Sequence, residues 1–569
     1  MKTVINSIWH LLSVANKTHI IWCGGILLTM LVLAVLHRRR EDRKSKIRLW
    51  RVLCLLPLLT CGVHFYMYVF GATRFLEGFY PLYALGVLAL IPIPFANRDT
   101  GYKVSAVLTG VLSCLCGFYF CLTSPTKFNH SRESYTESFH SLVTDMDKYY
   151  ILKEWKEVDF SALEAKYMPM VEEAEKFDDC EKFTDAIRMF CNELHDGHVE
   201  VELNFYYEDH MSFNPPNDYG ISMVRLDSGE VIAVFADETA NALGIEDGTV
   251  ITKWNGKPVL QAAAEDVSDT GFPVKANADR FDIMYLAGVG GDTVEVSFID
   301  KSGKEQTVTL EKHEKHDSFW QAWKAFSHYI EEDEDNNFST KMLDDKCGYL
   351  RLNEEETYNI LYDDIGYMTG DHKRAKEMFR EKLRELKSQG MEYLVIDLRN
   401  NNGGIEVIGY ALCDLLTDKE WYCQGLGIRK DGKFVTQCDQ SIHGDGEFAD
   451  LKVVALTNYL CASAGDGTSL LLSKLPNVTL AGMTDPTGCD QETGGESVLS
   501  DGLLCVYYPV GLVLNENGEP NIDTKPDRIS RNPVEERIPF DRDAAMKIFR
   551  DKEDHELDWA VDFLKKQAG

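Results

Sequence analysis

The sequence predicts a multi-domain chain: an α-helical four-span membrane anchor, a helical region, a β-rich module and an α/β core. Three observations predict it. Four long apolar stretches crowd the first fifth of the chain, short turn-bounded strands fill its middle, and helices alternate with apolar strands toward its end. The boundaries expected are 1–123 for the anchor, 124–210 for the helical region, 211–315 for the β-rich module, 316–345 for a linker and 346–569 for the core.

Residues 18–36, 52–73, 78–96 and 104–123 carry no Asp, Glu, Lys or Arg. Each approaches the ~20 apolar residues that cross ~30 Å of hydrocarbon, which predicts a lipid bilayer as a partner. The basic loop 37–51 has eight Lys/Arg against two acids and should face the cytoplasm. Counting spans from it places everything after residue 123 outside, so a multi-pass cell-membrane protein with its large C-terminal part external is expected. No span carries an acidic or basic residue at its centre save the candidate His64, which disfavours a transporter.

The net charge is −32, and residues 124–569 alone reach −41. So acidic a surface excludes nucleic acid as a natural partner. Nine of the 15 cysteines lie in that part, an odd number without zinc-ribbon spacing, and no metal or cofactor site is predicted. Neither disulfide pairing nor oligomeric state is specified.

In the helical region Phe139, Leu142, Met146 and then Phe183, Ile187, Phe190, Leu194 recur at helical spacing. The region ends in Leu194-His-Asp-Gly-His198, where a helix stops at Gly197 and a strand begins. The module that follows reads as strands near 220–224, 231–235 and 250–259, with Gly-rich turns between them. In the core, a first strand at 348–352 and an amphipathic helix over 375–388 precede a central strand at 394–398.

Two strand-to-turn motifs carry the chemistry. The first is Leu398-Arg-Asn-Asn-Asn-Gly-Gly404, whose glycines let the backbone aim an N–H into a pocket. The second is Ala462-Ser-Ala-Gly-Asp466, which sets Ser463 where a strand ends and a helix begins. A serine at a helix start facing backbone donors is the layout of acyl transfer. Together the motifs resemble the core of the C-terminal processing (tail-specific) protease and tricorn core protease superfamily, over roughly residues 130–569. The resemblance implies a serine peptidase with a crotonase-like α/β core (the ClpP/crotonase fold) and a PDZ-like module. In such a module Tyr219, Gly220 and Ile221 would cradle a peptide's terminal carboxylate.

Ser463 needs a base. The serine–lysine branch of the family places a lysine about 25 positions later, but Gly488 and Cys489 stand there. Lys474 lies about 16 Å along the helix from Ser463, too far to reach it. The tricorn-like branch implies His198 as base and a C-terminal glutamate, closest to Glu519, as its orienting acid, with Asp523 as the fallback. The oxyanion hole implied uses backbone N–H groups of Gly403 or Gly404 and of Ala464. Asp466 is expected to cap the helix, and Arg399 to brace the Gly-Gly loop.

These readings converge on a membrane-anchored serine endopeptidase acting on extended protein segments or tails. The alternative is a catalytically inactive peptide-binding receptor that keeps the fold, suggested by the missing lysine.

Overall fold

The computed structural model describes residues 126–203, 217–267, 271, 273–313, 317–326, 337–357, 372–430 and 432–568, with scattered residues before 126. The four-span anchor expected for 1–123 is corrected here. Most of those apolar stretches lie outside the described residues, and among the described residues no helix is long and apolar enough to cross a membrane. The two helices described there, Arg43–Cys54 and Tyr80–Leu88, have 12 and nine residues. A span needs about 20. The expected bilayer partner loses its support with the anchor, and the external placement of the catalytic part depended on the same count.

The core is a six-stranded sheet whose spatial order follows the chain. Phe338–Met342 forms one edge, then come Cys347–Leu352, Tyr393–Asp397, Lys452–Leu456 and Val478–Gly482, with Glu536–Arg537 at the far edge. Every pairing is parallel except the first, which is antiparallel. Parallel strands need crossovers, and helices Lys373–Ser388, Val407–Leu415 and Ala464–Ser473 occur between successive strands. Tyr393–Asp397 is buried at every position, because both faces of such a sheet are covered. Its carboxyl end and that of Lys452–Leu456 carry the two sequence motifs, so pairing these strands in register brings the motifs together.

The stretch expected as a linker is structural. Helix Asp317–Phe326 buries Phe319, Ala322 and Ala325, and Phe338–Met342 completes the central sheet. The β-rich module is an antiparallel sheet ordered Ile221–Arg225, Val231–Ala236, Val250–Trp254, Thr293–Ile299 and Glu305–Glu311, packed around the fully buried Trp254.

Three helices, Tyr135–Tyr149, Phe160–Phe177 and Cys180–Asn192, form the helical region. Ser134 and Glu137 close a reciprocal capping box on the first, as a Ser-x-x-Glu sequence should. Their apolar stripes pack on residues far along the chain, Leu504, Val506 and Tyr508 among them. That contact is made by a second sheet, in which Lys127–Asn129 and Glu200–Leu203 flank Thr493–Val498 and Leu504–Pro509. The helical region is therefore bolted to the back of the catalytic core.

His130 follows the first strand of that sheet, with Nε2 2.8 Å from Asp145 and Nδ1 3.1 Å from Glu133. Burial pulls its pKa down, but the two acids outweigh burial and raise it. A histidine whose folded pKa is raised stabilises the fold below about pH 6.5, and this is lost as pH rises through the folded value. His130→Gln should therefore lower the melting temperature at pH 5.5 more than at pH 8, as read by thermal denaturation at both.

Candidate active site

Ser463 leaves Lys452–Leu456 through a short turn and stands at φ +57°, ψ −128°. Only a strained turn holds a serine there, at a cost of ~1–3 kcal/mol. Its side chain does not cap the helix it opens, and among the described residues Oγ makes no hydrogen bond. Its N–H donates to the Cys489 carbonyl at 3.0 Å. The residue is part-exposed.

The Gly-Gly loop lies directly against it. A Cβ added at Gly403 would fall 2.5 Å from Ser463 Cβ and 2.9 Å from the Ala464 nitrogen. Only glycine permits that approach. The Gly403 N–H is spent on Asn401 Oδ1 at 2.8 Å. Glu355 brackets the next peptide, its N–H donating to the Gly403 carbonyl and its own carbonyl accepting from Ile405. The Gly404 N–H has no partner among the described residues, and Ala464 starts its helix, where an N–H has no intrahelical acceptor. Of the three donors expected, Gly404 and Ala464 are open and Gly403 is a spacer. Gly403→Ala should cost at least ~10²-fold in kcat/KM, the scale of one lost oxyanion donor, measured on purified protein.

His198 sits in the turn after Cys180–Asn192 and is buried. Its N–H donates to Asp196 Oδ1 at 2.9 Å, and Tyr150 donates its hydroxyl to Oδ2. The ring bonds the Gln491 backbone, while Nδ1 is buried without a partner among the described residues. Burial lowers the imidazole pKa, only partly offset by Asp196 and Gln491, so the ring is a neutral acceptor near pH 7. The 487–489 turn touches both the histidine turn and the serine. A Cβ on Gly197 would meet Cys489 Sγ at 2.7 Å, and Cys489 carries the carbonyl that Ser463 bonds.

The lysine-branch position is thus part of that turn, and Lys474 is at the other end of the nucleophile helix. Glu519 is exposed in a hairpin turn, where its backbone bonds Asn515, and no hydrogen bond joins it to His198. Asp523 is fully buried instead. Gln491, whose backbone holds the His198 ring, donates its side-chain amide to Asp523 Oδ2. Oδ1 is unpartnered among the described residues. Burial and Asp196 raise the Asp523 carboxyl to about 7, against the opposing pull of Lys156. That buried lysine donates to the His195 and Thr524 carbonyls, and sequence reasoning missed it. A lone Lys in a charged stretch gives no periodic signal.

Asp466 does not cap its helix. Its Oδ2 accepts the Gly488 and Cys489 N–H groups at 2.5 and 3.2 Å, and Asn532 donates to Oδ1 at 3.2 Å. Glu355, also missed, is fully buried with Oε2 accepting the Gly409 N–H, and burial pushes its carboxyl well above the ordinary range.

The expected carboxylate cradle is not open. The Gly220 N–H is spent on Asp218 Oδ1 at 2.7 Å, and Tyr219 and Ile221 are core residues. Asp237 also crowds Gly220, 2.5 Å from where a Cβ would be. Two acids at that spot would repel a carboxylate. The nine cysteines after residue 124 are all free thiols; Cys461 and Cys489 are buried, with their pKa values pushed up by burial.

A strained serine at a helix start, beside open backbone N–H groups and a buried neutral histidine, defines a serine hydrolase site on a parallel sheet. Residues 346–530 match Peptidase family S41, and the chain is a serine-type peptidase. Among solved structures, mature CPAF complexed with lactacystin is 14% identical, with a TM-score of 0.50 over 77% of this chain and 98% of that one. The photosystem II D1 C-terminal processing protease is 18% identical over 74% and 99%, with a TM-score of 0.32. The tricorn protease is 15% identical over 76% of this chain and 37% of its own, with a TM-score of 0.34. At these identities the first likeness shows the fold alone, and the other two are too distant to argue from. No curated protein sequence matches the chain.

Proposed function

We propose that the chain is a serine endopeptidase in which Ser463 is the nucleophile and His198 the general base. The observation that carries this is Ser463 in a strained turn, packed against Gly403 and joined through Cys489 to the histidine turn, its Oγ without a hydrogen bond to any described residue. Ser463 Oγ attacks the scissile carbonyl as His198 takes its proton. The Gly404 and Ala464 N–H groups receive the oxyanion, and the imidazolium then protonates the leaving amine. Water repeats the sequence to free the acyl group. Asp196 at the base of the turn holds the His198 N–H and its charge favours the imidazolium as it forms, while Gln491 links the ring to Asp523. Glu519 has no part in this reading.

Substrates are protein segments in extended form, as the family of residues 346–530 implies. The β-rich module is read as PDZ-like from its sequence turns, but carboxylate capture at Gly220 is not part of the proposal while Asp218 occupies that N–H. Fluorophosphonate labelling tests the nucleophile. Stoichiometric modification mapped to Ser463 is expected. A folded protein that stays unlabelled would favour the inactive receptor.

A further inference from the structure

The 487–489 turn, which touches both the nucleophile and the histidine turn, is held from one side by a single carboxylate. Asp466 lies three residues after Ser463 and is fully buried. Its Oδ2 gathers the Gly488 and Cys489 N–H groups, while the Cys489 carbonyl returns a bond to the Ser463 N–H. The two links close a ring around the turn, and its outer face carries Gly197 of the histidine turn. Gly488, at φ +82°, is backed by Val274 and Thr524, so the turn cannot retreat without losing packing.

The geometry points to Asp466 as a positioning residue for the peptidase reaction: its ionised carboxylate clamps the 487–489 turn and so keeps Ser463 and His198 in register. This rests on the Ser463–His198 reading above. A carboxylate offers acceptor lone pairs to both N–H groups; once protonated, one oxygen turns donor toward neighbours that are themselves donors. The charged and titratable groups facing it are Asp523 and Asp490 from the C-terminal half of the site, with the Cys461 and Cys489 thiols. Asn532 supplies the side-chain amide bond. Burial raises the Asp466 carboxyl to about 7, Asn532 and the two N–H groups pulling against it. His198 is held below its ordinary 6.5. On lowering pH the clamp is therefore released before the base is protonated.

The loss is not acid unfolding. A carboxyl whose folded pKa is raised favours the folded state more as pH falls from about 7 toward its unfolded value near 4. Activity and this contribution to stability run in opposite directions over one window.

The test is the pH dependence of kcat/KM and of fluorophosphonate labelling at Ser463 in wild type, Asp466→Asn, Asn532→Ala and Asp523→Asn. Wild type should lose reactivity with a midpoint near 7. Asp466→Asn, which keeps an acceptor oxygen and cannot titrate, should move the midpoint below 6.5 with a lower plateau and KM little changed. Asn532→Ala should move it upward, which keeps the test alive if Asp466→Asn does not fold. A midpoint unmoved by both variants, or moved by Asp523→Asn alone, overturns the assignment. Wild type unlabelled at every pH would instead sink the nucleophile assignment beneath it.

Discussion

Ser463→Ala is expected to abolish peptide hydrolysis and leave the fold intact. It removes one part-exposed oxygen that makes no hydrogen bond to a described residue, so stability should change by less than ~1 kcal/mol. The activity lost should approach the ~10⁶-fold seen when a catalytic unit loses its nucleophile. His198→Ala should cost nearly as much, and the double variant little more than either single one, because the pair acts as a unit. Ser463→Gly adds a sharper check. Glycine is at ease at φ +57°, so this variant should be equally inactive yet more stable than wild type by ~1–3 kcal/mol in urea denaturation. A Ser463→Ala protein that still turns over peptide near the wild-type rate would place the nucleophile elsewhere.

Arg399→Leu should be the most destabilising single change near the site. The guanidinium is fully buried and bonds Asp397 at 2.6 Å through Nη2 and at 2.9 Å through Nε. It also takes both oxygens of Asp554, at 2.7 and 2.8 Å, and reaches Glu556 at 3.3 Å. One cation thus ties the strand that launches the Gly-Gly loop to the start of the C-terminal helix His555–Ala568. Breaking a buried pair from one side costs about 3–5 kcal/mol, since the remaining charges stay uncompensated. Burial alone would raise the Asp397 carboxyl; Arg399 overrides it and holds the group below its usual range. Such a group stabilises above its unfolded pKa near 4, and that stability is lost as pH falls through the folded value. The deficit of Arg399→Leu should therefore shrink toward acid pH, where Asp397 is protonated in the variant. An equal deficit at pH 4 and pH 8 would count against the ion network as the cause.

Much of the site was legible because its signals are local. Gly403 and Gly404 are two residues that only a close backbone approach requires, and Ser463 sits between a strand pattern and a helix pattern. The expected core elements at 348–352, 375–388 and 394–398 match strands and a helix of the structure to within a few residues. Arg399 does brace the strand that leads into the Gly-Gly loop, though two of its three partners, Asp554 and Glu556, lie more than 150 residues on. Failures came where a residue's meaning depends on what packs against it. Glu519 and Asp523 are four positions apart in one polar stretch, and nothing in the string says which is buried. Gly220 looked like an open donor because Asp218, its acceptor, is an ordinary loop acid until the turn is built. The apolar stretches of 1–123 satisfied a length and hydropathy rule, yet the described helices there are too short to span.

The sequence by itself determined the α/β core, the nucleophile turn and its glycine neighbour, since hydrophobic period, Gly-Gly and strand-to-helix transitions are properties of neighbours in the chain. Tertiary structure alone decided that Gly403 is a spacer and Gly404 a donor, that Asp466 clamps a turn more than 20 residues away, and that Lys156, Asp196 and Asp523 gather behind His198. The physical reason is common to all three. Hydrogen-bond satisfaction and burial set the role of a polar group, and both are fixed only when segments distant in sequence close around it.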